Sequence, residues 1–542
     1  MAGDESFDVI CVGSGAAGCA AALAAADVGL RVCLLEKSNK LGGGSAYSLG
    51  ALWIGANHLQ AGAGIADTVE ETRTYLNFLG GGSSIAENLN AYVEQGPHVL
   101  REFERMGVHF RIIAGLPDHY YPDAPGTKTA GRSLEAAPIR RSELGLWAHS
   151  LQQGPYTPTG MTWSDAVAWG GFANRRGWNH AELQRRAAEG LLGAGQCLIA
   201  HLLAGLVKRN VPIRTGFATR ELIVSNGRVV GVCGTEAGKE IAVNASGGVI
   251  LAAGGYEGSE QLMRRYEGLP DWRNMFPDTI EGDGLMMAAE IGAAIYRVPV
   301  NLCTMLGYFT GHGVTLQERT FRNAGSREFT FPHSFIVNRG GRRYADESQF
   351  QHMVSALHRF DAASHAYVNL PSFFIFDRQY LERYTLAAEA PGIDRPDWLT
   401  YADTIEALAD KLGVDRDGLK QTTDAFNHNA KIGEDPEFGR GNSVWSKSWS
   451  GDQKHGINAI LGPVIKPPFC GVRLYPTGAG SGGVLTDSHA RVLHVRGHAI
   501  PGLYACGNTA APTAYGAGYQ AGLTLMGGLI FGYLAARHAA AH

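Results

Sequence analysis

Residues 7–38 read "FDVICVGSGAAGCAAALAAADVGLRVCLLEKS". An apolar run ending at Val12 is followed by a glycine turn, an Ala-rich stretch and a second apolar run that closes on Glu36. That order predicts a strand, a tight turn, a helix and a parallel strand, which is one βαβ unit. Gly13, Gly15 and Gly18 have the G-x-G-x-x-G spacing. The first glycine suits the turn, the second lets backbone approach a pyrophosphate, and the third lets the helix pack on the sheet. The helix start, Ala16 and Ala17 included, offers N–H groups to phosphate. Glu36 lies 18 residues beyond Gly18. A carboxylate there accepts hydrogen bonds from ribose hydroxyls and repels a 2′-phosphate, so the unit predicts a dinucleotide site that disfavours NADP.

The next stretch of chain favours FAD over NAD. "EKSNKLGGGSAYSLGALWIG" sets Gly42, Gly43, Gly44 and Ser45 just after Glu36 and Lys37, a second glycine patch suited to a ligand that continues past the first turn. "GGVILAAGGYE" ends an apolar run at Ala252, Ala253, Gly254 and Gly255, and "IPGLYACGNTAAP" ends another at Gly507 and Asn508. In an open α/β sheet the carboxyl ends of strands are where ligands sit.

At 542 residues the chain predicts two or more domains, and its 18% charged content with a net charge of -4 gives no sign of nucleic-acid binding. The 73 glycines fall in short clusters between apolar runs, as close approach of backbone to a ligand would require. The eight cysteines are scattered, with no C-x-x-C pair and no histidine at metal-ligand spacing. They read as small buried hydrophobes in a reducing compartment, and no metal site is expected. The first strand begins by about Phe7 and no run of 18 apolar residues occurs. The expectation is a cytoplasmic protein without a transmembrane segment, with peripheral membrane contact left open.

The order of these segments, with "RVVGV", "EGDGLMMAAEIGA" and "GGVLTDSHARVL" between them, resembles the fumarate reductase/3-ketosteroid dehydrogenase flavoproteins along nearly the whole chain. The resemblance implies an α/β fold. A discontinuous Rossmann-like FAD-binding domain, residues 1–285 and 469–542, would carry an inserted α+β catalytic domain, residues 286–468. It places FAD against Gly13, Gly15, Ala16, Ala17, Gly18, Glu36, Lys37, Gly43, Gly44, Ser45, Ala253 and Gly254. Backbone at Ala218, a loop at Asp283, and Gly507, Asn508, Gly522 and Leu523 near the flavin ring complete the set. Covalent branches of the family use a histidine after the second glycine patch. Here Ser45 and Tyr47 stand there and His58 is the first histidine, so FAD is expected to be noncovalent.

Fumarate and succinate enzymes hold two carboxylates and set arginines around the flavin. This chain has "GNTAAPTAYGAGYQAGLTL" in the C-terminal loop, without a cation. "AGYQAGLTLMGG" instead resembles the tail of 3-ketosteroid dehydrogenases, in which a tyrosine and a following glycine N–H bind the ketone oxygen. On that match Tyr519 is the phenol donor and Gly522 the backbone donor, with Tyr515 as runner-up. "GLPDHYYPDAPGTKTAGRSLE", residues 115–135, resembles a segment in which a tyrosine assists the base; Tyr121 and then Tyr120 are the candidates. At the family's base position, after Glu347 and Ser348, this chain has no tyrosine. The proton is left to His352, on a stretch patterned as an amphipathic helix, to Tyr121, or to a tyrosine such as Tyr308. The resemblance implies a Δ1-desaturation like that of 3-ketosteroid dehydrogenases; Arg322, Arg327 and Glu328 replace an apolar lip and weaken the assignment to steroids, so a smaller ketone, such as a cyclohexanone or 4-oxocyclohexanecarboxylate, is the alternative. The resulting expectation is desaturation beside the carbonyl of a cyclic ketone, with electrons passed to an external quinone-like acceptor. The reverse reduction, a fumarate-type reductase and a non-catalytic flavin-binding protein are the rivals. The Ala- and His-rich tail is expected to be a frayed helix end.

Overall fold

The computed structural model describes residues 5–155, 157–171, 177–299, 304–316, 319–325, 328–384, 386 and 398–542. The first βαβ unit forms as its sequence predicts: strand Glu5–Val12, helix Ala16–Asp27 and strand Val32–Glu36, the two strands parallel with Val9 opposite Val32. Strand Lys239–Leu251 lies on the other side of the first strand, and Ala499–Ala505 lies beyond it, both parallel. Ile213–Thr215 extends the sheet past Val32–Glu36, and Arg491–Leu493 closes the opposite edge antiparallel. Segments from the start, middle and end of the chain thus lie side by side. Val12 pairs with Leu251 and Leu251 with Ala505, so the glycines that follow these three strands, Gly13, Gly254 and Gly507, gather at one edge.

The C-terminal helix Leu523–Ala541 packs along the first helix. Glycine makes that approach possible: a Cβ on Gly532 would lie 2.8 Å from the Ala17 carbonyl oxygen, and one on Gly528 3.1 Å from the Ala17 Cβ. Both helices therefore begin beside the gathered strand ends. The tail is not frayed: the helix continues to Ala541, Ala536 and Ala539 are buried, and the His538 Nδ1 pairs with the Tyr504 hydroxyl at 2.9 Å. Inter-helix burial of the alanines accounts for the order that composition alone did not suggest.

The second body is an antiparallel sheet whose strands run in the order Arg319–Gly325, Thr304–Leu316, Phe469–Gly478, Ser372–Asp377 and Ser334–Asn338. Thr400–Ala402 also pairs with Phe469–Gly478. Side chains alternate across it, as the pleat requires. Phe373 and Ile375 pack with helix residues Leu408, Leu419 and Phe426, while Phe374 and Phe376 face Tyr308, Tyr380 and Tyr384. The strand after residue 468 is therefore paired inside this sheet, and residue 286 falls within the helix Asp283–Glu290. No described helix is long and apolar enough to cross a membrane.

Candidate active site

A cavity of about 410 Å³ opens at the gathered strand ends. Gly13, Gly15, Ala16, Ala17, Glu36, Lys37, Gly43, Gly44, Ser45, Ala253, Gly254, Asp283, Gly507, Asn508 and Gly522 all line it. Gly18 does not, because it sits beneath the turn: a Cβ there would lie 1.9 Å from the Gly13 carbonyl oxygen. Leu523 is fully buried in the core, and Ala218 lies between Phe217 and Thr219, which do line the cavity. Asp283 is not in a loop but opens the helix Asp283–Glu290.

The cradle is fixed by a short polar chain. The Ser14 N–H and hydroxyl both donate to the Glu36 Oε2, at 3.0 and 2.6 Å, and the Gly42 N–H donates to the Ser14 Oγ at 2.9 Å. The Ala16 N–H donates to the Ser45 Oγ at 3.0 Å, which ties the first glycine turn to the second patch. The Lys37 Nζ donates to Asp283 at 2.6 Å and to Glu281 at 2.7 Å. Gly13 has φ +102°, and a Cβ there would lie 2.3 Å from the Ala252 carbonyl oxygen. A Cβ on Gly43, by contrast, would meet no protein atom within 4 Å. Gly43 and Gly44 line the cavity and Gly43 leaves open space where a side chain would stand, as close approach of a dinucleotide needs, so these residues fit FAD.

The other end of the cavity is aromatic. Trp163 opens the helix Trp163–Ala168, and Trp445 and Trp449 lie one turn apart on Val444–Trp449. With Met305, Glu328, His119 and Tyr519 they complete the lining. The Tyr519 ring lies 5.6 Å from the His119 ring, whose centroid is 3.7 Å from Trp445. Gly522, at φ +100°, precedes the C-terminal helix and lies against Leu52 and Trp53, where a Cβ would come within 2.5 Å of the Leu52 backbone. The positive end of that helix therefore faces the cavity beside Tyr519. Tyr515 does not line this cavity: its ring packs edge-on against Tyr92 at 6.4 Å, and it lines an adjoining small pocket that shares Gly507, Asn508 and Gly528 with the main one.

The segment 115–135 is braced from within. Buried Arg132 pairs with Asp67 through Nε and Nη2, both at 2.7 Å, and its Nη1 donates to Asp118 at 3.0 Å. The Trp53 Nε1 donates to the same Asp118 at 2.7 Å. Burial alone would raise the Asp67 carboxyl, but the hydrogen bonds and charge of Arg132 outweigh it and hold it below the usual range. At Asp118 burial prevails and the pKa is raised. His119 follows Asp118 directly, and its backbone N–H donates to the Gln520 Oε1 at 2.8 Å.

The structure does not bring Tyr120, Tyr121 or His352 to the cavity lining. Tyr120 packs against Phe78 at 5.9 Å and faces His352 at 6.4 Å, and burial pushes its phenol up to about 12. His352 is exposed on the helix Phe350–Leu357. Tyr308 is buried between Trp398 and Phe374, stacked on both. Arg327 lies outside the described residues, whereas Glu328 is buried at the cavity wall. The residue that sequence reasoning missed is His119. It stands in the quoted segment beside two tyrosines, and no local pattern separates it from them. Its partner Gln351, one residue before His352, was likewise passed over.

The family described as FAD binding domain matches residues 8–525. The chain is 36% identical to the 4-oxocyclohexanecarboxylate 2-dehydrogenase of Sinomonas cyclohexanicum, across 98% of this chain and 92% of that protein. It is 34% identical to the 3-oxosteroid 1-dehydrogenase of Mycobacterium tuberculosis, across 99% and 98%. Among solved structures, 3-ketosteroid delta1-dehydrogenase from Sterolibacterium denitrificans, in complex with 1,4-androstadiene-3,17-dione, superposes with a TM-score of 0.87 at 29% identity, covering 99% of this chain and 100% of that one. This chain belongs to the FAD-binding-domain family and is an FAD-dependent oxidoreductase of its fumarate reductase/ketosteroid dehydrogenase fold.

Proposed function

We propose that the chain introduces a C=C bond beside the carbonyl of a cyclic ketone, with FAD held noncovalently. The carrying observation is the character of the cavity. Its one cation among the described lining residues is Lys37, held by Asp283 and Glu281 at the nucleotide end. The aromatic end has donors for a neutral oxygen and no partner for a dicarboxylate. Bound FAD supplies the two-electron acceptor for the β-hydride. The chain's own residues do the rest. The Tyr519 hydroxyl and the Gly522 N–H clamp the ketone oxygen, and the start of the C-terminal helix stabilises the negative charge that develops there. Trp163, Trp445 and Trp449 give an apolar wall that accommodates a ring and excludes water. His58, the first histidine after the second glycine patch, pairs with Glu104 at 2.6 Å and does not line the cavity, which supports noncovalent FAD. The electrons would leave to an external quinone-like acceptor.

The similarity to enzymes named for 4-oxocyclohexanecarboxylate and for 3-oxosteroids leaves two sizes of ketone. Glu328 at the wall favours a neutral substrate over a carboxylate. Anaerobic mixing of the yellow protein with cyclohexanone, 4-oxocyclohexanecarboxylate and a 3-ketosteroid tests the reading. Bleaching by one of them is expected. If no ketone bleaches the protein, while the dithionite-reduced protein is reoxidised by an enone or by fumarate, the chemistry runs as reduction and the proposal fails.

A further inference from the structure

We propose that His119 takes the α-proton of the ketone and that Gln351 fixes the imidazole in the tautomer that can do so; this rests on the desaturation reading above. Removing that proton needs a lone pair inside the cavity beside the oxygen clamp. His119 is 2% exposed, lines the cavity and faces Tyr519. The Ala521 N–H, one residue before Gly522, donates to its Nε2 at 3.2 Å. A backbone N–H can only donate, so Nε2 carries the lone pair and Nδ1 the proton. The Gln351 Nε2 lies 2.5 Å from Nδ1, where a protonated Nδ1 offers it no acceptor, and the Gln351 Oε1 is buried with no partner of its own. Turning the amide over sets that oxygen on the Nδ1–H and fixes the lone pair on Nε2, against the Ala521 N–H. The backbone of His119 is held as well: its N–H donates to the Gln520 Oε1 at 2.8 Å, which also accepts from the Tyr75 hydroxyl at 2.8 Å. Three residues of the tail, Gln520, Ala521 and Gly522, therefore position the base and the oxygen clamp together.

The long Ala521 contact is at the weak end of the hydrogen-bond range, so a bound ketone can displace it. The α C–H bond then breaks toward Nε2, and its electron pair becomes the enolate C=C as the carbonyl π pair moves to the oxygen held by Tyr519 and Gly522. The imidazolium returns its proton to solvent. Burial holds His119 well below the ordinary histidine value, so Nε2 is unprotonated at neutral pH.

The step can be read without net desaturation. Holoenzyme reduced with dithionite is mixed in ordinary water with cyclohexanone or a 3-ketosteroid deuterated at the α-positions, and loss of deuterium is followed by NMR. The wild-type protein is expected to exchange at least one of them, and His119→Gln to slow that exchange by about 100-fold or more while still binding FAD. Gln351→Leu is expected to slow exchange, and Gln351→Glu, which can still accept from Nδ1–H, to restore most of it. His119→Gln exchanging at the wild-type rate, Glu328→Gln abolishing exchange, or a wild-type protein that exchanges neither ketone each overturns the proposal. His119-dependent exchange in a protein that no ketone bleaches upholds the base and rejects the desaturation reading instead.

Discussion

The two ends of the cavity are built from different materials. The nucleotide end is made of backbone: glycines follow three parallel strands, and two side chains, Ser14 and Ser45, stitch the turns together. The aromatic end is made of side chains delivered by segments far apart in sequence, His119, Trp163, Trp445 and Tyr519 among them. A backbone cradle tolerates almost no added atom, whereas a side-chain wall tolerates substitutions that keep shape and loses function when one polar atom goes. Mutations should therefore separate the ends by kind of damage as well as by size.

The largest effect is expected at Gly13. Alanine there would adopt a left-handed φ, at about 1–3 kcal/mol of strain, and drive its Cβ to 2.3 Å from the Ala252 carbonyl oxygen. Gly13→Ala should yield protein without bound FAD, read from the absorbance of the purified sample. Gly29→Ala is the control: its φ is +87° but a Cβ would meet nothing within 4 Å, so it should stay yellow. Next comes Arg132→Met, which strands Asp67 and Asp118 in the interior. Breaking a buried pair in this way costs about 3–5 kcal/mol, to be measured by denaturant unfolding. The loss should also reach the site, since His119 follows Asp118 directly.

Tyr519→Phe should leave the fold and the flavin intact and slow reduction of the flavin by ketone about 10²–10³-fold, as loss of an oxyanion donor does. A change within threefold in anaerobic stopped flow would remove Tyr519 from the clamp. This contrast also explains what could be read from sequence. Gly13, Glu36 and Ser45 lie within one local unit whose geometry is set by spacing, so the cradle was legible. Tyr519 was reached through the resemblance of its glycine-rich tail to that of 3-ketosteroid dehydrogenases, and it lines the cavity. His119 and Gln351 were not, because they are 232 residues apart and meet only through packing. Among His119, Tyr120 and Tyr121, adjacent in sequence, the one that lines the cavity is the one held by the distant Gln520, Ala521 and Gln351. Likewise the pairing of Phe469–Gly478 with Ser372–Asp377 is a long-range choice that no local pattern announces.

A pH effect should appear at the aromatic end through His333, which lies just beyond the short helix Glu328–Thr330 at the cavity wall. His333 is buried, with Nδ1 on the Pro463 carbonyl at 2.8 Å and Nε2 accepting from Arg383 at 3.0 Å. Burial lowers its pKa from 6.5 to about 4. The folded state therefore resists protonation: the stability it contributes is complete above pH 6.5 and is lost as pH falls toward 4. The loss is on the order of 3 kcal/mol. Unfolding midpoints at pH 7 and pH 4.5 should differ accordingly, and His333→Leu should shrink the difference.

The smallest expected effect is at Tyr515, and it sharpens the comparison most closely. Tyr515 and Tyr519 share one glycine-rich loop, yet Tyr515 packs on Tyr92 while Tyr519 lines the main cavity. Gly516 and Gly518 make that divergence possible. A Cβ on Gly516 would strike Ser83 and one on Gly518 would strike Leu79, so the loop lies against the helix Val69–Gly80 and the turn after it. Tyr515→Phe keeps the ring that fills this space and removes the hydroxyl of a residue outside the lining of the main cavity. Its stability cost should be about 0.5–1.5 kcal/mol, with the ketone-dependent bleaching rate within twofold of wild type. A rate loss matching that of Tyr519→Phe would mean that the loop exchanges its two tyrosines on binding ketone, and the division between a packing phenol and a chemical one would fall.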